Sequence, residues 1–229
     1  MPSSVPSPLV PLRAIGAELA ALLLAACCAG CDAPGELLCD SCRAQLSPDP
    51  REFTTPEGRR VRAALGYDGV AARCIRRLKG DGETLLARPL GGALAGVLTE
   101  ALADGAVAVP IPTGRAAFRR RGYRVPDLLI RRAGAEPHRL LFAARATVDQ
   151  RGLGVQERAE NVRGSMRVRT WGDGTDVVLV DDVVTTGATF DEASRVLGSA
   201  GFRVVAAVAL AATPLHRRII ENAPGTRRK

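Results

Sequence analysis

Residues 177–180, Val-Val-Leu-Val, followed by Asp181 and Asp182, constrain this chain more than any other stretch. A β-branched apolar run bounded by polar residues reads as a strand buried on both faces, and such strands belong to parallel sheets covered by helices. Ligands of open sheets bind beyond the carboxyl ends of the strands, which is where the two carboxylates fall. Val183 and Val184 come next, then Thr185-Thr186-Gly187-Ala188-Thr189. This run is small, hydroxyl-rich and carries one glycine. It suits a loop whose N–H groups and hydroxyls wrap a phosphate just ahead of a helix N-terminus. Adjacent carboxylates accept hydrogen bonds from neighbouring sugar hydroxyls, or hold Mg²⁺ through water. Together they describe a ribose 5-phosphate. A plain buried strand and polar turn is the alternative, but an acid pair followed two residues later by TTGAT is an unusual combination.

The rest of the chain supplies the sheet around this strand. Val61–Tyr67, Ala106–Ile111, Leu140–Ala144 and Arg203–Leu210 are strand candidates, and helical patterns run over Val70–Leu78, Glu83–Leu102 and Phe190–Ala200, the last closed by Gly201. A further helix opens at Pro126 with Asp127 in its first turn. Gly91, Gly92 and Gly96 imply close helix packing and permit a homodimer. Alternation of apolar runs with helical patterns predicts an α/β fold: an open, mainly parallel sheet with helices on both faces. The strand Ala106–Ile111 breaks into Pro112-Thr113-Gly114-Arg115, a turn able to aim N–H groups and a guanidinium at an anion. Residues 150–162 are polar, carry two glycines and read as a mobile loop or lid.

The N-terminal third has a different character. Residues 1–11 are rich in Pro and Ser and read as a disordered lead-in, and residues 12–46 hold a short helix and five cysteines. Cys28-x2-Cys31-x7-Cys39-x2-Cys42 is two knuckles joined by a turn, a spacing suited to a structural Zn²⁺, with Cys27 an alternative first ligand. Disulfides or redox thiols are the other reading. Leu24-Ala25-Ala26-Cys27 looks like a lipobox, but Glu18 interrupts the apolar run, which is also too short to span a membrane. Residues 47–58 hold three prolines and read as a linker to a main domain over 59–212, and 213–229 is a basic tail.

The chain carries a net charge of +8, almost all of the positive charge from arginine: Lys79 and Lys229 are the only lysines. This balance favours polyanionic partners, either phosphorylated small molecules or nucleic acid. The arginine-rich stretch between Arg115 and Arg169 is either a solvated basic face, an electropositive rim around a phosphate site or a nucleic-acid track. Sparse aromatics weaken a base-stacking version of the last idea.

The stretch 177–189 resembles the 5-phosphoribosyl-1-pyrophosphate (PRPP) motif of type I phosphoribosyltransferases. With the cysteine knuckles, Tyr67, Leu78-Lys79-x2-Gly82, Val109-Pro110-Ile111-Pro112, Arg121-Gly122-Tyr123 and Gln150-x2-Leu153-x4-Arg158-x2-Asn161-Val162, the chain resembles the ComF (GntX-like) family of phosphoribosyltransferase-related proteins. One departure stands out: the family's Arg-Gly-Phe-Asn-Gln is Arg-Gly-Tyr-Arg-Val here. The resemblance implies a cytoplasmic, Mg²⁺-dependent transferase that uses PRPP, releases pyrophosphate and acts on an unidentified acceptor. It implies that Asp181 and Asp182 hold the ribose, that Val183, Val184, Thr185, Thr186, Gly187, Ala188 and Thr189 bind PRPP, and that Thr185 to Thr189 anchor its 5-phosphate. Thr113, Gly114 and Arg115 take the pyrophosphate, and Arg158 closes over it. Two further functions follow from the resemblance: DNA uptake in competence, with single-stranded DNA on a basic surface, and a PRPP sensor without turnover.

Overall fold

The computed structural model describes residues 27–144 and 162–214. Its five-stranded sheet has the order β1-β2-β7-β6-β3, built from β1 (Arg51–Thr54), β2 (Arg60–Gly66), β3 (Val107–Pro110), β6 (Asp176–Val184) and β7 (Arg203–Ala212). β2, β7, β6 and β3 are parallel, and β1 is an antiparallel edge. A separate antiparallel pair joins β4 (Leu141–Ala143) to β5 (Met166–Val168). The helices are α1 (Asp40–Ala44), α2 (Gly69–Gly80), α3 (Ala87–Ala101), α4 (Arg115–Arg121), α5 (Val125–Arg132) and α6 (Ala188–Ser199). The architecture is the open α/β sheet that the apolar runs predict.

Apolar surface is buried on both faces. Val178, Val180, Val208 and Leu210 pack against Cys74, Ile75 and Leu78 of α2, Leu90 and Leu94 of α3 and Leu129 of α5. On the opposite face Val177, Leu179 and Val109 meet Phe190, Ala193 and Leu197 of α6 and Leu141 and Met166 of the small pair. Val177 to Val180 are fully buried, as a central parallel strand requires. With few aromatics, this core is filled by Val, Leu and Ala, and helices must approach closely. Gly91 of α3 is where they do: a Cβ there would lie 2.3 Å from Arg132 Cβ and 2.9 Å from its carbonyl carbon. Gly92 and Gly96 face open space.

Three findings differ from the sequence reading. Residues 51–54, inside the proline-marked stretch 47–58, form β1, with Phe53 buried; Pro48, Pro50 and Pro56 flank the strand without interrupting it. Residues 115–121 form α4, a helix that a run of arginines conceals, ended by Gly122 at φ 78°. And β6 continues through the acid pair to Val184, where the apolar run alone suggests a strand ending at Val180. The reason lies in the neighbours. β3 pairs with β6 only as far as Pro110 opposite Val180, whereas β7 keeps pairing through Asp181 opposite Ala209 to Val184 opposite Ala212. The residues 1–26, 145–161 and 215–229, with the expected N-terminal helix, lid and most of the tail, lie outside the described residues.

Candidate functional site

Beyond Pro110, β6 is thus paired on one side and open on the other. The chain leaving β3 makes one more bond, Ile111 N–H to Val180 C=O at 2.8 Å, and then turns away. A cleft of about 500 Å³ occupies the opening. Asp181, Asp182, Val183, Thr185 and Thr189 line one wall, Ile111 to Gly114 another, and Tyr67, Lys79 and Arg121 a third. Residues more than a hundred positions apart converge here because the strands carrying them end at one edge of the sheet, where the chain leaving β3 leads to α5 on one face and the chain leaving β6 leads to α6 on the other.

Lys79 is the residue that sequence reasoning left without a role. Its ammonium lies 2.6 Å from Asp182 Oδ1, with both side chains mostly buried. Burial works against the charge of Lys79, but Asp182 and Asp181 outweigh it and hold the pKa above the ordinary lysine value. Asp181 behaves in the opposite way: burial, then repulsion from Asp182, push its carboxyl up to about 8, against the pull of Lys79. Asp181 Oδ1 also accepts the Asp182 N–H at 2.8 Å. Burial and the neighbouring carboxylate thus favour the protonated form of Asp181, whose carboxyl can donate to as well as accept from sugar hydroxyls.

The end of α2 that carries Lys79 is clamped. Arg121 Nε donates to Lys79 C=O at 2.6 Å and the Tyr123 hydroxyl donates to Leu78 C=O. The Arg-Gly-Tyr triplet therefore positions Lys79. Its glycine is the left-handed cap that lets Arg121 and Tyr123 reach the same helix end.

The loop after β6 is shaped for an anion. Gly187, at φ 82°, caps α6: its C=O accepts the Phe190 and Asp191 N–H groups at 2.9 and 3.1 Å, and the N–H groups ahead of them open the helix toward an anion. Gly187 must be glycine twice over, since a Cβ would also meet Thr55 Cγ2 at 2.6 Å. Thr55 belongs to the turn after β1, and its buried hydroxyl donates to Asp191 Oδ1 at 2.5 Å while Glu57 N–H donates to Asp191 Oδ2 at 3.3 Å. These contacts fasten the first turn of α6 to the sheet edge. The other residues of the run serve the loop itself. Thr186 Oγ1 accepts from Ala188 N–H at 3.5 Å, Ala188 faces away from the cleft, and Val184 is 1% exposed in the core. Thr113 and Gly114 line the cleft, but Arg115 points into an adjoining pocket. Arg158 lies outside the described residues.

The four cysteines form a second site. The sulfurs of Cys28, Cys31, Cys39 and Cys42 all lie within 4.8 Å of one another, with Cys28 to Cys39 at 3.6 Å and Cys31 to Cys39 at 3.8 Å. Metal–sulfur bonds of about 2.3 Å in a tetrahedron place sulfurs about 3.8 Å apart, so the donor set fits a metal. Burial opposes ionisation of Cys28, but the N–H groups of Cys39, Gly30 and Cys31 outweigh it and bring the thiol down to about 6. Cys27 is exposed and outside the cluster, and Cys28 is the first of the four cysteines that could hold a metal. The knuckle is seated on α2: Arg73 donates to Gly30 C=O at 2.8 Å, and Arg77 pairs with Asp32 at 2.8 Å.

No family model matches the chain. Among curated proteins, DNA utilization protein YhgH of Salmonella typhi is 34% identical over 101 residues, covering 42% of this chain and 44% of that protein. Competence protein F of Haemophilus influenzae is 30% identical over 101 residues, 41% of this chain and 44% of that protein. The match spans less than half the length of these curated relatives. Among solved structures, adenine phosphoribosyltransferase from Saccharomyces cerevisiae is similar at 13% identity, covering 76% of this chain and 89% of that one, with a TM-score of 0.40. A hypoxanthine phosphoribosyltransferase from Staphylococcus aureus is similar at 19% identity, with coverages of 58% and 65% and a TM-score of 0.36. No helix among the described residues is long and apolar enough to cross a membrane.

Proposed function

We propose that the chain binds PRPP with Mg²⁺ in this cleft and transfers its phosphoribosyl group with release of pyrophosphate. One observation carries the reading: the acid pair, the loop ahead of α6 and the turn after β3 line a single cleft, as a ligand with a sugar and phosphates at both ends requires. In the reaction a lone pair of the acceptor forms a bond to C1. The C1–O bond breaks and its electrons leave with pyrophosphate, and the acceptor's proton passes to solvent. Asp181 and Asp182 hold the ribose hydroxyls, and Lys79 keeps Asp182 in place. Thr185, Thr189 and the N–H groups that open α6 bind the 5-phosphate. Thr113 and Gly114 face the departing pyrophosphate. The cleft's carboxylates and the ligand's phosphates form an oxygen donor set that fits Mg²⁺, which would neutralise charge on the leaving group. Such a site acts by position and electrostatics. The cysteine cluster would hold structural Zn²⁺, and metal-ligating cysteines together with a phosphorylated cellular substrate favour a cytoplasmic location.

Calorimetric titration with PRPP and Mg²⁺ tests this. Saturable binding is expected in the parent and its loss in the Asp181→Asn, Asp182→Asn double variant; equal binding by both would sink the assignment. Saturable binding without pyrophosphate release, whatever the acceptor, would favour a PRPP sensor.

A second reading is supported by the names of the relatives, DNA utilization protein and competence protein F, together with the +8 charge: a basic surface that binds single-stranded DNA. Binding should then weaken steeply with salt. Affinity that is indifferent to salt, or absent at low salt, would count against it.

A further inference from the structure

Beside the cleft, and sharing Ile111, Pro112 and Thr113 with it, lies a second pocket of about 340 Å³. Arg115, Arg124, Arg139 and Arg169 line it, against a single carboxylate, Asp127. Asp127 is 5% exposed and already paired, accepting from Arg139 Nε at 2.5 Å. The other three guanidiniums have no carboxylate partner among the described residues. Two are held by rings instead. Arg124 Cζ lies 4.1 Å from the centre of the Phe118 ring, and Arg169 Cζ lies 5.4 Å from that of Phe142. A ring orients a guanidinium without cancelling its charge.

We propose that this pocket is an anion subsite for a carboxylate- or phosphate-bearing small molecule, the acceptor of the transfer reaction. The identity of the occupant as acceptor rests on the function proposed above; the anion subsite itself does not.

Several arguments support the assignment. Like charges gathered around a concavity repel one another, and an anion relieves that repulsion. Arginine presents a planar fork that matches carboxylate and phosphate oxygens two at a time. A solvated basic face would spread its arginines over a convex surface, whereas these converge from the first residue of α4, the cap of α5 and the flanks of the strand pair β4–β5. The pocket's size suits a small molecule more than a nucleic-acid track. Its two nearby rings are engaged by guanidiniums and offer no free stacking platform. The shared residues 111–113 place the occupant one turn away from the cleft, where an acceptor must wait.

Matched probes test the proposal on the full chain by calorimetry, with and without PRPP and Mg²⁺. Orotate against uracil isolates a carboxylate, and phenyl phosphate against phenol isolates a phosphate. The anionic member of at least one pair should bind about tenfold more tightly than its neutral partner. The Arg124→Gln, Arg169→Gln double variant should lose that preference while its affinity for PRPP stays unchanged. Arg124→Lys, Arg169→Lys should retain part of it, and an unaltered urea midpoint in each variant shows that the fold is intact. Equal binding of charged and neutral probes overturns the subsite, as does undiminished anion binding by the Gln variant. Anion binding that the Gln variant loses, in a protein that ignores PRPP, would uphold the subsite and sink the transferase reading. PRPP binding without any anion preference would do the reverse. Loss of oligothymidylate binding in the Gln variant, with no small anion bound by the parent, would overturn the subsite in favour of nucleic acid.

Discussion

Lys79 Nζ stands 2.6 Å from Asp182 Oδ1, joining the last turn of α2 to the open end of β6. Lys79→Met leaves Asp182 without its counter-charge in a largely buried setting. It is expected to lower stability by about 2 kcal/mol, less than a fully buried pair would lose. Because folding raises the lysine's pKa above 10.5, the contribution is fully present below that value and disappears only as the pH climbs through the higher folded value. Urea unfolding at neutral and strongly alkaline pH checks both statements; the parent and variant should converge only at the alkaline end.

Asp181 gives the opposite signature. Its folded carboxyl titrates near 8 against 3.8 for the ordinary group, so between these values the folded chain holds a proton that the unfolded chain releases. Stability contributed by this group is present at low pH, falls as the pH rises from about 4 towards 8, and is gone above. Asp181→Asn should remove that slope and leave the variant more stable than the parent at alkaline pH. Thermal melts across the range would show it, and parallel curves for the two proteins would refute it.

Gly91 offers a test of close helix packing with internal controls. Gly91→Ala drives a methyl group into Arg132 and should destabilise by about 1–3 kcal/mol. Gly92→Ala and Gly96→Ala meet open space on the same helix and should stabilise by up to about 1 kcal/mol. A uniform response at the three positions in chemical denaturation would contradict the packing.

Thr55→Val removes one of the donors to a buried carboxylate while preserving shape. A cost of about 1–3 kcal/mol is expected, from the desolvated Asp191 left short of a partner. Phosphate-end affinity should fall with it, because Asp191 anchors the first turn of α6; titration with PRPP alongside denaturation separates the two effects.

The cysteine cluster predicts about one metal per chain by elemental analysis. Cys28→Ser and Cys42→Ser should lose the metal and melt at lower temperature, and Cys27→Ser should match the parent in both respects. A chelator should reproduce the melting shift in the parent.

What was legible in the sequence depended on local signals. Val177–Val180 announced a central strand because burial on both faces demands an unbroken apolar run, and the TTGAT run announced a loop because only Gly187 meets its backbone demand. The extent of β6 could not be read, since a strand through Asp181 and Asp182 depends on β7 continuing to pair after β3 has left. α4 was hidden by the very arginines that form its surface. Arg115 looked like part of the turn after β3, and helix formation swings it into the neighbouring pocket. Lys79 did leave a trace: one of only two lysines in an arginine-rich chain, and the only one inside the predicted main domain, it marks a place where a slim point charge is needed and a broad guanidinium is not. The partnership of Thr55 with Asp191 spans 136 positions and left none.

The overhang of β6 past β3 makes the two halves of the cleft independently replaceable. The acid pair takes its sheet support wholly from β7, so residues 112–114 can be lengthened, shortened or exchanged without breaking a hydrogen bond of the strand that carries it. A scaffold divided in this way can hold one wall of the cleft fixed while the opposite wall is exchanged, so grafted turns at 112–114 can retune what the cleft grips without disturbing the strand that carries the acid pair.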